Sequence, residues 1–349
     1  MKKSIAAALC TLSLTACYPQ IPKVDDAVQY RALEAHPGCT TEGLSYTAAQ
    51  IPGYTCAAKE YAFPAGVTED TSKPIVLLIH GNSSTPADFE KFRKPDSTTE
   101  PLAMLSERLV AAGFKTYAVD MRIDKTDDPA TNNTTENAAR NIDHGWAVPI
   151  ASHFIDSVMK ANPNRKVSIV GFSLGSTIAR DAARRLYQDG KRPFERIKAM
   201  VLAAGSNHGV STYRALCNTN PTMRGRVACE LGDRNAYGNG TPFLNLLNGE
   251  NGAFETPCAD GNSAYGTAGV CGGNRVSYTT VVMRDVSQGT YQDEFVSEAS
   301  AALKGADNQL LQLTDNDLSG YFFNGIFKNH FGAARSEAAL TVMMNALSK

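Results

Sequence analysis

Charge of one sign is what this sequence lacks: 34 Lys and Arg stand against 35 Asp and Glu, a formal net charge of −1. That excludes the basic field of a nucleic-acid-binding surface. No long run of either sign marks an interaction tail, and no internal repeat is present. The chain also lacks an apolar stretch of the ~20 residues that a membrane-spanning helix needs. It contains no C-x-x-C, no H-E-x-x-H and no carboxylate cluster, so nothing requires a metal. What remains is ordinary for a globular protein, with 43% hydrophobic and 20% charged residues. At 349 residues the chain is long enough for one large domain with a full core, or for two small ones.

The N-terminus reads as a targeting segment outside the fold. Lys2 and Lys3 precede a short apolar stretch, Ile5 to Leu14, and then Leu14-Thr15-Ala16-Cys17. Small residues ahead of a cysteine resemble the bacterial lipoprotein box. The resemblance implies a signal peptide over 1–16, a lipid attached to Cys17, and a membrane partner reached through that anchor. Tyr18, where an Asp would signal inner-membrane retention, implies the outer membrane. The alternative is an ordinary secretory signal cut near Ala16. Residues 17–40, polar with scattered Pro and Gly, read as a tether.

Of the eight cysteines, Cys10 leaves with the signal and Cys17 takes the lipid. Cys39, Cys56, Cys217, Cys229, Cys258 and Cys271 remain, an even set that suits disulfides in an exported chain. Six cysteines allow about fifteen pairings. The local set, 39–56, 217–229 and 258–271, is the expectation, each closing a loop worth about 3 kcal/mol in the chain-entropy picture.

The domain proper is expected over 41–349. Pro74 to Ile79 is a continuous apolar, β-branched run, as in a strand buried on both faces. A helix follows from Pro101 with Leu102, Leu105, Leu109 and Val110 on one face, stopped by Gly113. Strands are predicted at 114–119, 166–170, 197–203, 276–283 and 310–313. A long amphipathic helix ends near Asn162-Pro163, another carries Ile178, Ala182 and Leu186, and a terminal helix spans 332–347. This alternation predicts an α/β fold with a mostly parallel sheet. Residues 206–275 break the rhythm. Rich in Gly, Asn and Thr and holding four of the six cysteines, they read as a disulfide-stapled insertion that roofs the site. Its aromatics Tyr213, Tyr237, Phe243, Phe254 and Tyr265 suit an acyl site and a small satellite core equally well.

Gly171-Phe172-Ser173-Leu174-Gly175 fits G-x-S-x-G, with a strand before it and a helix after it. There a serine sits on a sharp turn that lifts its hydroxyl off the sheet, and the glycines remove side chains that would clash across that turn. The motifs from about 74 to 345 resemble, in order and spacing, the α/β-hydrolase lipases. Ile79-His80-Gly81-Asn82, Leu202-Ala203-Ala204-Gly205 and Arg284-Asp285 are loosely similar to extracellular polyhydroxyalkanoate depolymerases of that fold, although Phe172 stands where those enzymes carry His.

The resemblance implies ester hydrolysis without a cofactor, on a lipidic or polyester substrate. It places the acid and then the histidine after the serine. Only His208 and His330 follow Ser173. His208 precedes the acid, so His330 is the expected base. Asp285, just past the fifth core strand, is the expected acid, with Asp293 and Glu294 as rivals one loop further on and Asp315 and Asp317 behind them. The oxyanion donors are expected to be the backbone N–H groups of Leu174 and Asn82, with His80 as a prop for the Asn82 loop. An amidase or peptidase with the same triad, and a non-catalytic surface lipoprotein on a hydrolase fold, are the alternative readings. A dehalogenase is disfavoured by Ser at the nucleophile position.

Overall fold

The computed structural model describes residues 28, 30–35, 39, 44–82, 84–91, 102–122, 143–217, 223–232, 241–284, 289, 292–313 and 327–349. Cys17, the signal segment and most of the tether lie outside these residues, as do Asp285, Asp315, Asp317 and Tyr237.

Strands β1 (Ala58–Glu60), β2 (Ile75–Ile79), β3 (Thr116–Val119), β4 (Val167–Phe172) and β5 (Ile197–Ala203) belong to one sheet. The short strands β6 (Ser263–Ala264) and β7 (Thr267–Ala268) pair only with each other, and β8 (Ser277–Arg284) and β9 (Asp307–Gln312) complete the main sheet. Its seven strands run in the order β1-β3-β2-β4-β5-β8-β9. Only β1 is antiparallel to its neighbour; every other pairing is parallel. The helices are α1 (Leu105–Ala111), α2 (His144–Ala161), α3 (Leu174–Gln188), α4 (Tyr213–Leu216), α5 (Met223–Glu230), α6 (Pro242–Asn248), α7 (Glu298–Ala301), α8 (Lys328–Arg335) and α9 (Glu337–Ser348). This is the α/β-hydrolase fold.

The apolar run of β2 has a direct structural cause. All five of its residues are fully buried, and they alternate between two cores. Ile75, Leu77 and Ile79 pack with α2 and α3 on one face, while Val76 and Leu78 pack with α1 and α9 on the other. Burying each such side chain contributes about 1.5–3 kcal/mol. A strand covered on both faces therefore needs no polar alternation.

At the sheet edges the sequence pattern speaks less clearly. Strand β9 starts at Asp307, ahead of the predicted 310–313, and its Asp307 and Asn308 are exposed, as an edge strand permits. Strand β1 is too short to leave a pattern. The predicted terminal helix is two helices. Ser336 ends α8 and caps α9, its side chain accepting the Ala339 N–H. His330 therefore lies inside α8, not ahead of a single terminal helix.

The three disulfides join Cys39 to Cys56, Cys217 to Cys229 and Cys258 to Cys271. The second ties α4 to α5. The third closes the loop that carries β6 and β7.

Candidate active site

Strand β4 runs into α3 through Ser173, whose φ of 54° and ψ of −126° lie where L-residues are rarely found. The glycines of the motif are required by space. A Cβ on Gly175 would lie 2.2 Å from the Ile79 carbonyl oxygen, and one on Gly171 would lie 2.6 Å from that of Gly175. On Gly81, across the turn, a Cβ would meet the Ser173 Cβ at 3.0 Å. The end of β2 and the serine turn are thus pressed together, which brings Asn82 beside Ser173.

Ser173 Oγ is 2.8 Å from His330 Nε2, and His330 Nδ1 is 2.8 Å from Asp293 Oδ2. His330 and Asp293 are both buried. The second Asp293 oxygen accepts the backbone N–H groups of Phe295 (2.7 Å) and Val296 (2.6 Å), and the Asp293 N–H donates to the Val296 carbonyl (3.0 Å), so a tight turn locks the carboxylate. The imidazole lies between two aromatic rings, with centroids 5.3 Å from Phe172 and 4.9 Å from Phe295.

The carboxylate on His330 Nδ1 belongs to Asp293, a rival of Asp285 in the sequence reading, while Asp285, the expected acid, lies outside the described residues. His208 sits elsewhere, with Nε2 2.9 Å from Glu255 Oε1.

Leu174 opens α3, so its N–H has no acceptor within the helix and points to the serine end. His80 is fully buried. Its Nδ1 donates to the Gly81 carbonyl (2.9 Å) and its Nε2 accepts the Met121 N–H (3.0 Å), a bonding pattern that fixes its tautomer and ties the Asn82 loop to the end of β3. Asp88, which the sequence reading missed, braces the same loop. Its carboxylate accepts the Gly81 N–H (3.1 Å) and the Ser84 hydroxyl (2.6 Å), and it faces Arg335 of α8 at 3.5 Å. Burial pulls the Arg335 guanidinium below its ordinary value, against the opposing pull of Asp88. Asp88 carries no motif, and only its position three-dimensionally between the loop and α8 reveals it.

A cleft of about 430 Å³ opens over Ser173 and His330. Apart from Asn82, Ser84 and Ser206 its walls are apolar: Leu174, Val210, Val227, Leu231, Val296 and the rings of Tyr213, Phe295, Phe327 and Phe331. Among the described residues no Asp, Glu, Lys or Arg lines it. The insertion supplies Val210, Tyr213, Val227 and Leu231, so part of it does cover the site. Its other described aromatics pack elsewhere. Phe243 is fully buried, 4.2 Å from the His144 ring, and Tyr265 packs on Tyr187 at 5.4 Å and on Phe254 at 5.6 Å. Among the described residues no group of three or more His, Cys, Asp or Glu is placed to hold a metal ion.

Residues 74–223 match a family model described as the alpha/beta hydrolase fold. No curated protein matches the chain in sequence. Among solved structures, the mature lipase BlEst2 of Bacillus licheniformis is similar at 14% identity and a TM-score of 0.48, over 83% of this chain and 98% of the lipase. Lipase B of Aspergillus fumigatus is similar at 16% identity and a TM-score of 0.48, over 82% of this chain and 55% of that one. A carboxyl esterase of metagenomic origin, MGS0156, is similar at 12% identity and a TM-score of 0.46, over 90% of this chain and 86% of that one.

Proposed function

We propose that the chain, whose residues 74–223 match the alpha/beta hydrolase fold, cleaves carboxylic esters through Ser173, His330 and Asp293, on substrates with an uncharged, apolar acyl part. The observation that carries this reading is the pair of 2.8 Å contacts from Ser173 Oγ through His330 to Asp293, at the floor of a cleft whose described walls hold no Asp, Glu, Lys or Arg.

In the proposed reaction His330 Nε2 takes the Ser173 proton as the oxygen attacks the ester carbonyl. Asp293 holds the ring through Nδ1 and stabilises the imidazolium. The tetrahedral oxyanion is received by the backbone N–H groups of Leu174 and Asn82. The C–O bond to the alcohol breaks as His330 returns its proton to the leaving oxygen. Water then attacks the acyl-enzyme, giving its proton to His330, and the acid departs as Ser173 recovers its hydrogen. The apolar walls favour a hydrocarbon chain and would desolvate a charged one at a cost. A lipid or an aliphatic polyester fits that description.

We extend the proposal to an exported protein anchored through Cys17 in the outer membrane. Three disulfides support an oxidising compartment. Mass analysis of the mature N-terminus would show a lipidated Cys17, and an unmodified chain would remove the anchor from the proposal.

The test of the reaction is the initial rate on p-nitrophenyl esters of increasing acyl length, for wild type and Ser173→Ala side by side. Turnover that rises toward longer chains and falls by at least about 10⁴-fold in the variant is expected. Equal rates in the two proteins would remove Ser173 as the nucleophile.

A further inference from the structure

Besides Asp293, a second carboxylate holds His330. Glu294 Oε2 accepts the His330 backbone N–H at 2.8 Å, and its Oε1 accepts the Asn329 N–H at 3.0 Å and the Asn329 side-chain amide at 3.1 Å. These N–H groups belong to the first turn of α8, where no carbonyl of the helix itself can reach them. The residue that should cap that turn is Phe327, which is left-handed (φ 58°) and has no side-chain acceptor. The helix is capped from outside, by the residue that follows the acid.

We propose that Glu294 is a positioning residue for His330, resting on the reading of His330 as the general base. Asp293 and Glu294 grip the same histidine at two points, ring and backbone, so one dipeptide sets both the direction of Nε2 and the height of α8 over Ser173. Phe295 completes the grip with its ring against the imidazole.

The charge of Glu294 has a second effect. The positive end of a helix disfavours the imidazolium that acyl transfer must form. A carboxylate on that turn offsets it. Among the described residues, the other charged groups around α8 are Asp293, Lys328 on its first turn, the Asp88–Arg335 pair, Arg284 at the end of β8 and Glu337 of α9, which is bound by Arg108 at 2.6 Å. The protein repeats the arrangement once more. His144 opens α2, and Glu230 Oε2 accepts its backbone N–H (3.2 Å) and lies 2.6 Å from its Nδ1. At His330 the two tasks are divided between neighbouring carboxylates.

The experiment compares wild type, Glu294→Gln and Glu294→Asp by kcat and KM across pH on an ester, and by the rate at which a fluorophosphonate labels Ser173. Labelling needs the activated serine but no particular ester. A wild type that labels without hydrolysing esters would therefore fail the ester proposal and still test this one. Glu294→Gln is expected to lower kcat and the labelling rate about tenfold, with KM held within about twofold. Its acidic limb should move to lower pH by about half a unit, because the imidazolium loses a favourable charge. Glu294→Asp keeps the charge but falls short by one methylene, so it should slow both reactions and leave the limb in place. Wild-type rates and an unmoved limb in Glu294→Gln would overturn the proposal. So would a lowered melting temperature with unchanged rates and limb, which marks a plain helix cap. Failure of both variants to fold would make Glu294 a residue of the fold and overturn it equally.

Discussion

Two histidines in this protein have nearly the same partners. His330 has a carboxylate 2.8 Å from Nδ1 and a serine hydroxyl 2.8 Å from Nε2. His144 has the Glu230 carboxylate 2.6 Å from Nδ1 and the Thr177 hydroxyl 2.8 Å from Nε2. Both lie in the first turn of a helix. Access is the first difference. His144 is fully buried under Phe243 and α5, whereas His330 opens into the cleft. The second difference is the hydroxyl proton. Thr177 donates it to the Leu174 carbonyl at 3.0 Å, so toward His144 it can only accept. Ser173 stands on a strained turn that aims its oxygen into open space. A hydroxyl, an imidazole and a carboxylate in line make a reactive site only where the hydroxyl proton is uncommitted and a substrate can arrive. Elsewhere the same three groups fasten parts of the fold together. Here they fasten the insertion, through Glu230, to the body, through α2 and α3.

The sharpest way to break this comparison is at the carboxylate of the open site. Asp293→Asn should lower kcat by about 10⁴-fold by stabilising the wrong tautomer of His330. Asp285→Asn should leave kcat within about twofold, and the reverse result would return the acid to Asp285. At the sealed site the expected loss is in stability instead. Glu230→Ala strands His144 in the interior and should cost about 3–5 kcal/mol, read as denaturant midpoint. A variant with unchanged stability would show that the sealed cluster holds nothing in place.

The smallest effect sharpens the comparison through pH. Burial, the largest influence, holds the Glu230 carboxyl above the usual carboxylate range, against the pull of His144. Folding therefore favours its protonated form. That contribution to stability is complete below the ordinary glutamate value of about 4.3 and fades as pH rises through the raised one. Glu230→Gln imitates the protonated state at every pH. Its melting temperature relative to wild type should therefore climb as pH rises above the ordinary glutamate value of about 4.3. A flat difference would mean that Glu230 does not titrate on unfolding in that window.

Much of the site could be read from the chain because its causes are local. The β2 run is apolar because both faces of the sheet are covered, and G-x-S-x-G has glycines because Cβ atoms at 171 and 175 would strike backbone 2.2–2.6 Å away. The disulfides pair cysteines only 12, 13 and 17 residues apart, where the short loop already favours closure. His330 was accessible by elimination, since only one other histidine follows Ser173.

The choice among Asp285, Asp293 and Glu294 was different in kind. All three are carboxylates in a stretch without periodicity, and no local rule separates them. Asp293 and Glu294 are singled out by their contacts with α8, a short helix with weak signal of its own. Asp88 escaped notice for the same reason, and Glu294 was weighed only as a rival acid and not as a cap for α8, since each acts on an element distant in sequence. The sequence by itself therefore determined the buried core strands and the serine turn, which depend on apolar patterning and short-range sterics, and it only favoured the local disulfide pairing among the fifteen or so possible. Only the tertiary structure decided which carboxylate meets the histidine and which of two histidines faces a cleft, because both depend on the meeting of segments more than thirty residues apart.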